Sequence, residues 1–272
     1  MRLSKAQLLA LLLGGHPALF SRVGTRANER GIEFSELSRK FEKEYMDDMA
    51  SLGILPPDCM TRVSEVCGHA KEQRVASDAL PRCHGDAHIV CAHIFVCPQY
   101  IPEIIEFVET IIRRGYAYES NGSVYFNTQA FGAAKNHVYG KLVPSNVGNT
   151  GLLAEGEGHA AAHTSDKRNA SDFALWKKSK EGEPEWESPW GAGRPGWHIE
   201  CSAMASSSMK EFAEGAIDIH SGGWDLRFPH HENEIAQSES CTNRPFAKYW
   251  LHNGLTRFNT KKVSKSDPEM QK

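Results

Sequence analysis

Apolar residues recur at spacings of three and four along residues 29–52, as Phe34, Leu37, Phe41, Tyr45, Met49 and Leu52, and Gly53 follows. That is the period of one helix face, with glycine as the stop. A second stripe, Ile104, Ile105, Val108, Ile111 and Ile112, predicts a helix over residues 102–114, with Pro102 in its first turn and Gly115 closing it. Two short runs, Ala117–Ser120 and Ser123–Phe126, flank Asn121-Gly122, so a two-residue hairpin is expected there. Residues 64–98 keep no period and read as a poorly packed insertion. Residues 140–196, rich in Gly, Pro, Ser and charge, read as loop-dominated. Residues 216–220 (AIDIH) alternate and run into Ser221-Gly222-Gly223, which predicts a buried strand and a sharp turn. Pro229 then opens a helix over HHENEIAQSE. Strand, glycine turn and helix form the half-unit of a parallel α/β sheet, in which ligands bind at the C-terminal strand ends. The expected fold class is α/β.

Composition narrows the function classes. At 272 residues the chain is one large domain or two small ones. A net charge of −3 and a pI near 6.5 exclude a generally basic nucleic-acid binder, though not a local basic patch. With 40% hydrophobic and 24% charged residues, the chain can bury a core. No apolar run approaches the roughly 18 residues of a membrane span. Arg2 and Lys5 before a short apolar run at 8–13 weakly resemble a targeting segment, and a helix fragment reads equally well. The expected compartment is the cytoplasm, with organellar targeting left open. Seven irregularly spaced cysteines read as reduced thiols rather than a disulfide framework. The group Cys83, His84, Cys91, His93 and Cys97 matches none of the paired-cysteine zinc spacings.

Two other groups carry chemistry. His230 and Glu234 stand at i and i+4, on one helix face, and Cys201 lies upstream in GWHIECSAM. A thiolate, an imidazole and a carboxylate suit zinc, and three protein ligands leave a position for substrate. Spacing alone favours a solvated helix start with Cys201 as a small buried hydrophobe. Lys261, Lys262, Val263, Ser264, Lys265 and Ser266 form a loop suited to neutralising a pyrophosphate leaving group, though most such runs are simply solvated.

Taken in order, GRPGWHIECSAMA, DIHSGGWDLRFPHHENEIAQSE and KVSKS resemble the cysteinyl-tRNA synthetases, a family of class I aminoacyl-tRNA synthetases. KRNASDFALWKKSKEGEPEWESPWG and YGKL at 139–142 look like the same family. The resemblance is close over 165–267, fainter over 27–63 and 99–142, and absent from 1–26 and 64–98. It implies a Rossmann-like catalytic domain with a connective insertion. It also implies ATP-dependent activation of L-cysteine to cysteinyl-adenylate and transfer to tRNA(Cys). Cys201, His230 and Glu234 fall on three of the four family positions that hold one Zn2+ at the base of the amino-acid pocket. Trp197 and His220 fall on positions packing around the bound cysteine. Lys262 and Lys265 fall on the lysines of the K-M-S-K-S signature, which contact ATP and its Mg2+-bound phosphates, with Val263 here in place of methionine. Thiol ligation of zinc would separate cysteine from serine beyond the roughly 10–200-fold that a hydrophobic pocket gains from one methylene.

The same resemblance predicts the domain layout: 1–26 unassigned, 27–190 the connective insertion region with a divergent stretch at 64–98, and 191–272 the second half of the Rossmann-like domain. No H-x-G-H occurs in the chain. The chain therefore reads as an internal piece of a synthetase, expected to make cysteinyl-adenylate at no useful rate by itself. Two other readings stand beside it: a related zinc-dependent cysteine ligase of mycothiol biosynthesis, and a non-catalytic zinc- or partner-binding remnant. Trp224, bulky for a glycine-rich turn, and Asp225 receive no role from sequence, and oligomeric state is not legible.

Overall fold

The computed structural model describes residues 31–32, 34–57, 60–61, 100–157, 166–180, 185–209, 216–254, 257–258 and 261–262. The candidate cysteine–histidine group at 83–97 and Lys265 lie outside the described residues.

Helix α1 (Phe34–Ser51) carries the first stripe, with Leu37 fully buried and Phe41, Tyr45 and Met49 half-buried. It begins later than the periodicity suggests, because Gly31 takes a positive φ of 61° that no helix continues. Helix α2 (Ile101–Arg113) buries Ile101, Ile104, Phe107, Val108 and Ile111, and Pro102 sits in its first turn. The hairpin forms as expected: β1 (Ala117–Ser120) and β2 (Ser123–Phe126) pair in antiparallel register across Asn121 and Gly122, both at positive φ. A short helix, α3 (Thr128–Ala133), follows, its N-cap supplied by the Asn127 side chain accepting from the Ala130 N–H.

Residues 140–196 are more ordered than their composition suggests. They hold α4 (Thr150–Glu157), β3 (Phe173–Lys178) and β4 (Gly193–Pro195), and the sheet runs β1-β2-β3-β4, antiparallel throughout. Phe173, Ala174, Leu175 and Trp176 are all buried, since β3 is covered on both faces. A run of four apolar residues carries no alternation, so periodicity could not announce this strand.

Helix α5 (Trp197–Met209) follows β4 at once. Gly196 permits this join, because a β-carbon there would lie 2.0 Å from the Ala174 carbonyl oxygen. Beyond it, β5 (Ile217–Gly223), α6 (Glu232–Thr242) and β6 (Ala247–Asn253) make a β-α-β unit with β5 and β6 parallel, from Ile217 opposite Ala247 to Gly223 opposite Asn253. The parallel half-unit expected at 216–240 is present. Its turn is not where the glycines suggest, for Ser221, Gly222 and Gly223 continue the strand, paired to Leu251, His252 and Asn253. The turn proper is Trp224–Leu226 followed by Arg227–His231, with a cis peptide before Pro229, and α6 starts after it. Trp224 is accommodated because it faces solvent, with the Arg227 guanidinium 3.9 Å above its ring. Finally β7 (Arg257–Phe258) pairs with β8 (Lys261–Lys262).

One apolar core joins the two halves. The buried face of α2, Val124, Phe126, Phe173, Leu175 and Trp176 of the sheet, Ile199, Ala203 and Met204 of α5 and Ala236 of α6 are contiguous. Helices α5 and α6 thus pack on the antiparallel sheet through α2, with their first turns beside β5.

Candidate metal centre

Three elements converge where β5 ends. Helix α5 brings Trp197, His198 and Cys201 at its first turns, α6 and the turn before it bring His230, His231 and Glu234, and β5 brings His220. Six of these seven side chains, Trp197 excepted, are buried. Helix α6 is buried from Glu232 to Ser240, so its polar residues must find partners inside. Gln237 does much of this. Its amide, turned to suit its neighbours, donates to the His198 carbonyl (3.1 Å) and Ser202 Oγ (2.6 Å) and accepts from the Ile199 N–H (3.2 Å). That bond set ties α6 to the first turns of α5, bringing Cys201 opposite His230 and Glu234.

The ligand atoms of Cys201, His230 and Glu234 all lie within 4.8 Å of one another. His230 Nε2 is 2.7 Å from Glu234 Oε1, and its Nδ1 is 2.8 Å from His198 Nδ1. The Trp197 ring stacks on the His230 ring at 4.1 Å between centroids. His220 Nε2 stands 3.0 Å from Glu234 Oε2, close enough for charge but off line for a hydrogen bond, so Oε2 is a buried oxygen with no well-aligned donor. His220, His231 and Glu234 form a second group of donors within the same limit. In that group His231 Nδ1 is already engaged, 2.8 Å from His252 Nε2. Gly222 makes room for this histidine, since a β-carbon there would come within 2.7 Å of His231 Cε1.

The electrostatics describe a site short of positive charge. Burial pushes the Cys201 thiol well up, and the Glu234 and Glu200 carboxyls add to the push. Burial alone would raise Glu234 too, but the charges and contacts of His220 and His230 outweigh it and hold the carboxyl well below its usual range. Burial raises Glu200 to about 8 against the pull of Arg194, and lowers His231 to about 3. A neutral thiol, a carboxylate with an oxygen lacking an aligned donor, and an imidazole within 4.8 Å fit a divalent cation, which would deprotonate the thiol outright. The Cys201 group is the better donor set, because it offers sulfur.

The structure therefore gathers Cys201, His230, Glu234, Trp197 and His220 into one site. Lys262 is in β8, its backbone paired with Arg257, and its side chain is not among the described ones. The sequence pattern gave no notice of His198, whose ring meets His230, or of His252. The doubled His230-His231 was the only local signal that two histidines could serve two directions.

Residues 92–270 match the family of tRNA synthetases class I (C) catalytic domain, and the chain belongs to that family. Among curated relatives, it is 51% identical over 244 residues to the cytoplasmic cysteine–tRNA ligase of Dictyostelium discoideum, covering 89% of this chain and 31% of that protein. It is 48% identical over 247 residues to the Xenopus tropicalis protein of the same name (89% and 28%), and 44% identical over 252 residues to the Homo sapiens one (91% and 28%). The chain spans about three tenths of the length of these relatives. The family match begins inside the 64–98 stretch, and the relatives' spans run across it, so the likeness extends further there than the motifs suggest. Among the described residues no helix is long and apolar enough to cross a membrane.

Proposed function

We propose that this chain carries the amino-acid-selecting part of a cysteine–tRNA ligase, the enzyme that joins L-cysteine to tRNA(Cys) through cysteinyl-adenylate at the expense of ATP. The observation that carries the reading is the meeting of Cys201, His230 and Glu234, from two helices, in one buried group at the end of a parallel strand. Zinc held by these three side chains would supply a Lewis acid that prefers the substrate's thiolate to a hydroxyl. The chain's own residues do the rest. His198 Nδ1 shares a proton with His230 Nδ1, which turns His230 Nε2 toward Glu234 and Cys201. Trp197, stacked on His230, walls one side and keeps bulk water from the imidazole. His220, midway along β5, closes the other side against Glu234 Oε2. Lys262 and Lys265 meet charge developing on the pyrophosphate of Mg2+-bound ATP.

In this reading residues 27–190 are the connective insertion region, 191–272 the second half of the Rossmann-like domain, and the cytoplasm the place of action. The β5-α6-β6 parallel unit within 191–272 supports the second part, while the antiparallel sheet crosses the boundary through β4. Zinc content of the chain and of its His230→Ala and Cys201→Ala variants tests the reading.

A further inference from the structure

The loop at 139–142 and the far face of α6 are joined by a set of bonds that the metal group does not use. Glu232, fully buried, accepts three successive backbone N–H groups: Gly140 and Lys141 at 2.8 Å on Oε1, and Leu142 at 2.8 Å on Oε2. Beside it Tyr139 donates its hydroxyl to Asn233 Oδ1 at 2.7 Å, and Lys141 Nζ reaches Glu239 at 2.5 and 2.7 Å. Consecutive N–H groups converging on one carboxylate form an anion cradle, here filled from within the chain. Gly140 keeps the cradle tight, since it takes φ 96° and a β-carbon there would strike Val147 Cγ2 at 2.5 Å.

Position on the helix gives this cradle its meaning. Glu232 opens α6, two residues after His230 of the preceding turn and two before Glu234, about 200° around the helix from the latter. Glu239, at i+7 from Glu232, returns to the cradle side two turns further along. The metal group thus holds one side of α6 and the 139–142 loop holds the other. A helix gripped only by its apolar stripe can rotate by several degrees at little expense, whereas three N–H groups on one carboxylate fix both its rotation and its height.

We infer that Glu232 is a positioning residue for the metal centre: docked in the 139–142 loop, it sets the rotation of α6 so that His230 and Glu234 together face Cys201. The inference rests on the metal reading above. It gives the YGKL segment a task at the site although no atom of that segment touches a ligand atom in the described contacts. A site that needs 0.5 Å placement of its ligands is sensitive to such support, and loss of an outer partner typically lowers metal affinity 10–100-fold.

The test uses the full chain loaded with Co2+, whose visible bands report ligand geometry and whose near-ultraviolet band reports thiolate ligation. Glu232→Gln keeps shape but places an amide N–H2 against backbone donors. Cobalt affinity should fall 10–100-fold, and the visible bands at saturating cobalt should shift. Lys141→Ala, which removes a side-chain pair and leaves the backbone cradle, should move affinity less than threefold and leave the bands in place. A role in stability alone would lower the melting temperature of Glu232→Gln while leaving its saturated spectrum unchanged. That result, or wild-type affinity in the folded variant, overturns the inference. Should Glu232→Gln fail to fold, Tyr139→Phe decides: a smaller shift of the bands in the same sense supports the positioning role, and an unchanged spectrum overturns it. No cobalt binding by the unsubstituted chain would sink the metal reading first, and the positioning role with it.

Discussion

Asp172 offers a severe test of how the antiparallel sheet is held behind the site. It is 1% exposed and accepts four hydrogen bonds: Tyr118 Oη at 2.7 Å and the Asn169 N–H at 3.1 Å on Oδ2, and the N–H and hydroxyl of Thr128, both at 3.0 Å, on Oδ1. It thereby fastens the start of β3 to β1 and to the first turn of α3, and its neighbour Phe173 packs edge-on against His198. Asp172→Ala leaves two backbone N–H groups with no other acceptor and two hydroxyls that must turn elsewhere. At about 1–3 kcal/mol for each of the two stranded N–H groups, the loss is about 2–6 kcal/mol, a large part of the stability of an ordinary domain. Tyr118→Phe is milder. It removes one bond to the carboxylate and the acceptor of the Arg168 N–H, and should cost about 2 kcal/mol. Urea unfolding of both single variants and the double variant closes a cycle, in which the coupling should be about 1.5–3 kcal/mol. Should the alanine prove too unstable, Asp172→Asn serves, since one of its two polar atoms then repels the Oδ2-side donors. Additivity within about 0.5 kcal/mol would show that the buried carboxylate and phenol do not act together, and that β3 is held by its apolar face alone.

Two further outcomes follow from single positions. Gly196→Ala should lower the unfolding free energy in urea sharply, by about 3 kcal/mol or more, because its β-carbon would meet the Ala174 carbonyl at 2.0 Å; a loss below about 1 kcal/mol would mean that β4 and α5 are not joined as described. His137 is buried against Phe131, and burial, helped by Lys141 and Arg114 against Glu239, lowers its pKa from 6.5. The unfolded chain then binds a proton that the folded one refuses, so this histidine's contribution is present above pH 6.5 and is lost as pH falls below it. His137→Phe should therefore lose less stability than the parent between pH 7 and pH 5 in paired urea titrations, and equal losses would contradict the assignment.

What could be read from the chain without its structure was what is local. The stripe of α2, the Asn121-Gly122 hairpin and the β5–α6 half-unit each announce themselves within about a dozen residues, because caps, turns and periodicity act at that range. The misreadings share a cause of the opposite kind. Gly222 and Gly223 look like a turn, and remain in the strand only because His252 and Asn253, thirty residues on, pair with them. Leu175 and Trp176 look like part of a loop-rich stretch, and form a central strand because β2 and β4 lie on either side. The candidate site divides in the same way. His230 and Glu234 were legible by their i, i+4 spacing, and their structure agrees. Cys201 was a candidate by its thiol alone, with no spacing to join it to the pair, and its place depends on the Gln237 bonds between α5 and α6. His198 and Glu232 carried no sequence signal, since one acts through the ring of another histidine and the other through backbone N–H groups far along the chain.

The central claim is that Cys201, His230 and Glu234 hold a metal ion between two helices. Its most direct test is elemental analysis of zinc in the purified chain after loading and exhaustive dialysis, with the two single alanine variants carried through in parallel. The account predicts about one zinc retained by the parent chain through these ligands, and that zinc lost from both His230→Ala and Cys201→Ala while each stays folded by circular dichroism. Zinc retained undiminished by either folded variant would contradict it.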